Sequence, residues 1–195
     1  MVSIDACIGL IIWFPDVPCE ITDAKARVDY LLEDLEKRRE KVLIPAPALA
    51  EILVHAGEAG PAFLTTILKS SRFQVADFDT RAAVEVAFAI AKARKAGNKR
   101  GKGNKDNWQK IKYDHQVVAI SKVAGAAVLY SNDPALANFA EINGMKVVSL
   151  ADLPTPPSKA PLFDGVPELP EPQQEADPKP MLRLNAPIVE EPPTL

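Results

Sequence analysis

Residues 126–150 read AAVLYSNDPALANFAEINGMKVVSL and contain, in one short stretch, the pattern of a strand, a helix and a second strand. The first five residues are apolar and predict a buried strand, and Asp133 followed by Pro134 is typical of the first turn of a helix. Gly144 ends this helix, and residues 146–150 predict another strand. A strand, a helix and a strand in this order favour an α/β fold with parallel strands.

The same alternation of strands and helices is predicted nearer the N-terminus. Apolar runs predict three further strands, at 2–6, 42–44 and 73–78, and residues 7–14 follow the first of them as an apolar turn. Helical spacing, caps and breakers predict helices at 22–40, with Thr22 as N-cap, at 47–55, at 61–69, at 80–96, with Asp79 as N-cap, and at 114–125, opened by Tyr113 or Asp114. We therefore expect a PIN-like three-layer arrangement, in which helices cover both faces of a central, mostly parallel, five-stranded sheet.

Composition narrows the class of protein. The 195 residues are 47% hydrophobic and 25% charged, which is ordinary for about one soluble globular domain. Cys7 and Cys19 are too few for a disulfide framework, and no apolar run approaches the roughly 18 residues that span a bilayer. Residues 1–14 lack the basic region of a signal peptide and are interpreted as a structural strand and helix. We expect a cytoplasmic protein with no membrane partner.

The chain divides by composition into a domain and a tail. Residues 154–195 contain twelve of the eighteen prolines and seven acids against three bases, a net charge of −4 that leaves +1 for residues 1–153. The tail has no hydrophobic periodicity, so we expect it to be extended or disordered. A segment that binds a partner is the alternative interpretation of the tail. The folded domain is expected to be residues 1–153.

Four acids are predicted at one edge of the sheet. Asp5 ends the first strand, and Glu51 lies one turn into the helix that follows the second strand. Asp114 is expected at the start of the helix that precedes the fourth strand, and Asp133 directly follows that strand. Open α/β sheets bind ligands at the carboxyl ends of their strands, where all four acids can converge.

The chemistry of these acids favours a metal site. Asp5 and Glu51 lie within apolar stretches, where an ionised carboxylate is unstable unless it is paired or bound to a metal. Several carboxylates would also repel one another, and a divalent cation resolves both problems. Oxygen-only ligands favour Mg²⁺ or Mn²⁺ over Zn²⁺, and two histidines without suitable cysteines supply a zinc site poorly. For Asp114 and Asp133, helix capping is the alternative role.

Four segments together resemble the PIN-domain family: a hydrophobic-Asp-Ala sequence at the N-terminus, Pro-Ala-x-x-x-x-Glu at 45–51, Tyr-Asp-His-Gln-Val-Val-Ala-Ile-Ser at 113–121 and Leu-Tyr-Ser-Asn-Asp at 129–133. They occur in the family's order within residues 1–150, and their pattern is most similar to that of the VapC-like toxin ribonucleases. The resemblance assigns the acidic, catalytic and metal-binding quartet to Asp5, Glu51, Asp114 and Asp133. It assigns Ser131 to the small hydroxyl residue that helps to hold the site, whereas Cys7 stands where the family often has Asn or Ser.

The same resemblance implies a function. It implies a Mg²⁺- or Mn²⁺-dependent endoribonuclease that hydrolyses RNA phosphodiester bonds and leaves 5′-phosphate and 3′-hydroxyl ends. It also implies a homodimer and, for the toxin of a type II toxin–antitoxin pair, an antitoxin protein as partner. A housekeeping RNA-processing nuclease and a non-catalytic RNA- or protein-binding module of the same fold are the alternatives.

A basic segment directly precedes Asp114. Residues 92–112 contain nine bases and one acid, and residues 97–112, which are rich in Gly, Asn and Lys, are predicted to form a loop. Clusters of this kind bind phosphate backbones, and a solvated loop is the alternative. Trp108 can stack on a base or anchor the loop to the domain. The predicted RNA-binding residues are Lys99, Arg100, Lys102, Lys105, Lys110 and Lys112.

Overall fold

The computed structural model describes residues 1–14, 16–95 and 108–156. Within them, the strands are β1 (Val2–Ile4), β2 (Val42–Pro45), β3 (Phe73–Ala76), β4 (Val128–Tyr130) and β5 (Lys146–Val148). The α-helices are α1 (Ala6–Trp13), α2 (Ala24–Lys37), α3 (Ala46–Ala56), α4 (Gly60–Lys69), α5 (Thr80–Lys95), α6 (Trp108–Val123) and α7 (Pro134–Ile142). A short 3₁₀ turn, Gly57–Ala59, connects α3 to α4.

The strands form one parallel sheet in the order β3-β2-β1-β4-β5. β1 lies in the centre, paired with β2 through Val2 and Val42 and with β4 through Ser3 and Leu129. The chain builds outward from β1 to β3 on one side, and after α5 and α6 it returns to form β4 and β5 on the other. The strand order therefore reverses between β1 and β4, and open parallel sheets bind their ligands at such a switch point. The predicted five-stranded parallel sheet flanked by helices is confirmed.

The central strands are buried, as their continuous apolar sequences predict. Every residue of β1 and of β2 is buried, which is typical of a sheet covered on both faces. Beside the sheet, α1 packs closely on α3, because Gly9 of α1 lies against Ile52 of α3 and a β-carbon at Gly9 would overlap the isoleucine side chain. This contact fixes the two helices that directly follow β1 and β2 against each other.

Most predicted elements agree with the structure, and their ends differ by up to three residues, as at the end of α2, except at the start of α6. The apolar turn at 7–14 is the helix α1, and Asp79 caps α5 by accepting a hydrogen bond from the backbone N–H of Ala82 at 2.8 Å. The predicted cap of α2 is wrong. Asp23, not Thr22, precedes this helix, with φ at 57° and no side-chain cap hydrogen bond. Aspartate enters this left-handed conformation more readily than a β-branched threonine does.

The start of α6 is the largest difference from the sequence prediction. The helix begins at Trp108, so the prediction that Tyr113 or Asp114 opens it is wrong. Ile111 gives the physical reason, because it is only 2% exposed and lies one turn before the buried His115, which extends the buried face of the helix towards its N-terminus. Asp114 therefore lies in the second turn of α6, too far from the N-terminus to cap the helix.

Part of the predicted loop and most of the predicted tail lie outside the described residues. The loop prediction for 97–112 is wrong for residues 108–112, which are helical, and residues 97–107 are not described. The predicted tail covers residues 154–195. Of these, residues 157–195 likewise lie outside the described part of the chain. Across the residues that are described, no helix is both long enough and apolar enough to cross a bilayer.

Candidate active site

Asp5 is held in place from both sides of its carboxylate. It directly follows β1, its backbone N–H donates to the carbonyl of Tyr130 in β4 at 3.0 Å, and it is the N-cap of α1. Its Oδ1 accepts a hydrogen bond from the backbone N–H of Ala6 at 2.7 Å. Its Oδ2 accepts one from Ser131 Oγ at 2.9 Å and lies 3.5 Å from Cys7 Sγ. The carboxylate is therefore fixed at the switch point between β1 and β4.

The environment of Asp5 disfavours its ionised form. Burial raises the pKa of Asp5 above its ordinary value, and the negative charge of Asp133 raises it further. The hydrogen bonds from Ala6, Ser131 and Cys7 lower the pKa, but these donors are neutral and compensate for the lost hydration only in part. A cation beside the carboxylate would favour its ionised form.

Asp133 caps a helix and also belongs to a group of neighbouring acids, Asp5, Glu51 and Asp133, which we call the acid cluster. Its Oδ1 accepts hydrogen bonds from the backbone N–H groups of Ala135 at 2.8 Å and Leu136 at 3.2 Å, so it caps α7. Its Oδ2 lies 2.5 Å from Nζ of Lys110. Burial raises the pKa of Asp133, but Lys110 and the helix N–H groups outweigh burial, and the pKa lies below its ordinary value. Asp133 is therefore ionised more readily than Asp5.

Ser131 and Cys7 connect the two acids. Ser131 is buried, and its Oγ donates to Asp5 and accepts a hydrogen bond from the backbone N–H of Asp133 at 3.1 Å. Cys7 Sγ accepts a hydrogen bond from the backbone N–H of Asn132 at 3.3 Å. Burial and the charge of Asp5 raise the Cys7 pKa to about 12, so the thiol stays protonated and can donate to Asp5. Cys7, which stands where the family often has Asn or Ser, was not among the predicted site residues, yet its thiol contacts Asp5.

Glu51 lies near the cluster but not in the apolar surroundings that its sequence suggested. It is exposed, whereas the adjacent Ile52 is completely buried, because the apolar stretch is helical and turns Glu51 towards the surface. Partial burial of the carboxyl raises the Glu51 pKa, the charges of Asp5 and Asp133 raise it further, and the charge of Lys110 lowers it. These effects show that Glu51 lies close enough to interact electrostatically with both other acids.

Asp114 shares one face of α6 with Lys110. The two residues are one helical turn apart, a spacing that puts both side chains on the same face. Because Lys110 contacts Asp133, this face of α6 is directed towards the acid cluster. Asp114 itself is partly buried. The structure thus brings Asp5, Glu51 and Asp133 close enough for their charges to interact. It puts Asp114 on the face of α6 that is directed towards these acids.

The six bases predicted to bind RNA fall in different places. Lys110 lies within the acid cluster, and Lys112 is exposed on α6. Lys99, Arg100, Lys102 and Lys105 lie outside the described residues. Binding of RNA by these bases therefore stays a prediction.

Both histidines lie against aromatic rings. His115 is 5% exposed and stacks on Phe139 with ring centroids 3.7 Å apart. Burial lowers the His115 pKa to about 4, so this ring is neutral at physiological pH. His55 contacts Phe14 edge to face, with ring centroids 4.7 Å apart. These contacts favour packing roles for the two histidines over metal binding.

The donor chemistry of the cluster fits a hard divalent cation. The acidic side chains offer oxygen atoms only. The charge of Asp133 raises the pKa of Asp5, and the charges of Asp5 and Asp133 raise that of Glu51, effects that a cation would offset. In the described ranges, however, no three carboxylate, histidine or cysteine side chains are arranged so that they could hold a metal ion. The positive charge that the structure places among these acids is the Lys110 ammonium.

Comparisons with known proteins bear on the fold. No protein-family model and no curated protein matches the sequence. Among solved structures, a DNA-bound VapBC complex from Salmonella typhimurium matches with 21% identity and a TM-score of 0.48, over 77% of this chain and 99% of that chain. VapBC2 from Rickettsia felis, bound to a DNA fragment from its promoter, matches with 16% identity and a TM-score of 0.51, over 76% of this chain and 98% of that chain. The second match and the strand order together show that this chain has the VapC-type PIN fold, as the sequence motifs predicted.

Proposed function

We propose that this chain is a Mg²⁺- or Mn²⁺-dependent endoribonuclease that hydrolyses RNA phosphodiester bonds at the acid cluster. The observation that carries the proposal is the grouping of the acids beside the switch point of the sheet: Ser131 bridges Asp5 and Asp133, and the charges of these two acids raise the pKa of Glu51. Carboxylates held close together repel one another and destabilise a fold, and a cation-dependent reaction is a physical reason for keeping them together.

Each residue of the proposed site has a role. The acids that would hold the cation are Asp5, Glu51, Asp114 and Asp133. Ser131 fixes Asp5 relative to the first turn of α7 through its two hydrogen bonds. When bound, the cation would lower the pKa of a water molecule and neutralise charge on the phosphoryl oxygens. One of the carboxylates accepts the proton of the attacking water. The products carry 5′-phosphate and 3′-hydroxyl ends, as the motif resemblance implies.

The proposed substrate and partners rest on the motifs and on the fold. The resemblance to VapC-like ribonucleases supports RNA as the substrate, and the likeness to VapBC2 supports an antitoxin protein as a partner. We therefore propose that the chain is the toxin of a type II pair, that it forms a homodimer in the cytoplasm, and that the basic segment 97–112 contributes to RNA binding.

One observation favours a second candidate function. An ammonium group lies within the acid cluster, and no metal-binding group of three side chains is present among the described residues. A non-catalytic RNA- or protein-binding module of the same fold is compatible with this arrangement, because such a module needs no cation.

A cleavage assay with Mn²⁺, Mg²⁺ or EDTA on a panel of single-stranded and structured RNAs separates the two functions. Asp5→Asn removes the charge and keeps the shape, and Asp29→Asn, which removes a surface acid paired with Lys25, is the matched control. We expect metal-dependent cleavage by the wild type and by Asp29→Asn, and a loss of about 100-fold or more in Asp5→Asn. Equal cleavage by Asp5→Asn would reject the site, and RNA binding without cleavage by the wild type would favour the binding module.

A further inference from the structure

Lys110 lies among the acids of the candidate site. Its Nζ is 2.5 Å from Oδ2 of Asp133, and its side chain is 47% exposed, whereas that of Asp133 is 21% exposed. The charge of Lys110 also acts on Glu51, where it opposes the repulsion from Asp5. Asp114 follows Lys110 by one turn on the same face of α6. A single ammonium group therefore compensates charge on more than one carboxylate.

The oxygen that Lys110 contacts is the one that a metal would need. Both backbone hydrogen bonds of the α7 cap go to Oδ1 of Asp133, so Oδ2 is the oxygen directed towards the cluster. An ammonium at hydrogen-bond distance and a divalent cation cannot share this oxygen without strong repulsion between the two positive charges. Lys110 and a metal therefore compete for Asp133.

We propose that Lys110 is an internal counter-cation, which offsets the charges of Asp133 and Glu51 in the metal-free protein and which a divalent cation must displace from Asp133. This inference rests on the proposed metal-dependent function. The Lys110 side chain is half exposed, so water can hydrate its ammonium when it leaves Asp133.

Mn²⁺ binding to Lys110 variants tests the proposal directly. Lys110→Met removes the charge and keeps much of the side-chain length, and Lys110→Arg keeps a positive charge. Lys122→Met is the matched control, because Lys122 lies on the same helix and pairs with Glu85, which is outside the cluster. Mn²⁺ affinity is measured by isothermal titration calorimetry, and the melting temperature of each variant is measured in EDTA and in saturating Mn²⁺.

We expect Lys110→Met to bind Mn²⁺ about fivefold more tightly than the wild type, which is roughly 1 kcal/mol. Lys110→Met should melt below the wild type in EDTA, because the acids then lack their counter-cation, and this difference should shrink in saturating Mn²⁺. Lys110→Arg and Lys122→Met should both have the Mn²⁺ affinity of the wild type.

Two outcomes would overturn the inference and leave the proposed metal site intact: an unchanged or weaker Mn²⁺ affinity in Lys110→Met, or an equal gain in Lys122→Met. The wild-type titration is a separate test of the proposed function. Absence of Mn²⁺ binding in the wild type would reject the metal-dependent nuclease itself, and the counter-cation exchange with it. The melting curves in EDTA show whether each variant is folded before its affinity is compared.

Discussion

Ser131→Ala removes a hydroxyl that contacts two residues of the candidate site, Asp5 and Asp133. The Ser131 Oγ donates to the Asp5 carboxylate at 2.9 Å and accepts a hydrogen bond from the backbone N–H of Asp133 at 3.1 Å. A hydrogen bond to a charged group contributes about 1.5–3 kcal/mol and a neutral one about 0.5–1.5 kcal/mol. We therefore expect Ser131→Ala to lower the free energy of unfolding by about 2–4 kcal/mol, measured by urea unfolding at neutral pH in EDTA.

The pH dependence separates this electrostatic role from simple packing. The Ser131 hydrogen bond lowers the pKa of Asp5, so its loss raises that pKa and moves the acidic limb of the cleavage profile to higher pH. Ser3→Ala is the matched control, because Ser3 is also buried but its hydroxyl is paired with that of Ser121, which still donates to a backbone carbonyl. A Ser131→Ala variant no less stable than Ser3→Ala, with an unshifted acidic limb, would refute the reasoning.

Three further predictions follow from the geometry. Burial raises the pKa of Asp5 above 3.8, so ionisation of Asp5 destabilises the metal-free fold as pH rises. Asp5→Asn should therefore melt at a higher temperature than the wild type at pH 7 in EDTA, and this difference in melting temperature should shrink towards pH 4. Gly9→Val should overlap Ile52 and lower the urea-unfolding free energy by about 1–3 kcal/mol; an unchanged midpoint would contradict the close helix contact. Ellman's reagent should modify the exposed Cys19 rapidly at pH 8 and Cys7 slowly, because Cys7 is partly buried and its pKa is raised; equal rates would contradict this difference.

The sheet could be predicted from sequence because its signals are local. Each central strand is a continuous apolar run, and breakers or caps such as Asp79 and Gly144 mark where the neighbouring helices begin or end. The order of the strands is not local, because it depends on the crossover through α5 and α6. No strand order was predicted from the sequence, and the order β3-β2-β1-β4-β5 comes from the structure.

The features of the site that could not be predicted from sequence depend on which face of a helix a residue occupies. Glu51 was expected to be buried because its neighbours are apolar, yet the helix turns it outward while Ile52 is buried. Lys110 was grouped with the other bases, because a lysine in a basic segment shows no sign of an acidic partner far along the chain. Its spacing of four residues from Asp114 was the available signal, and it was hidden by the expectation that α6 starts later.

Helix capping and membership of the acid cluster were treated as alternative roles for Asp133, and the structure shows why they are compatible. Asp5 and Asp133 each follow one of two adjacent parallel strands, so the helices that they cap begin at the same edge of the sheet. In each residue, Oδ1 accepts the backbone N–H bonds of the helix, while Oδ2 faces its neighbours across the switch point, Ser131 for Asp5 and Lys110 for Asp133. A carboxylate has two oxygens and can serve both purposes at once. Capping therefore fixes the direction of the second oxygen, and the same bonds that start the helices hold these oxygens at the edge of the sheet where the cation is proposed to bind.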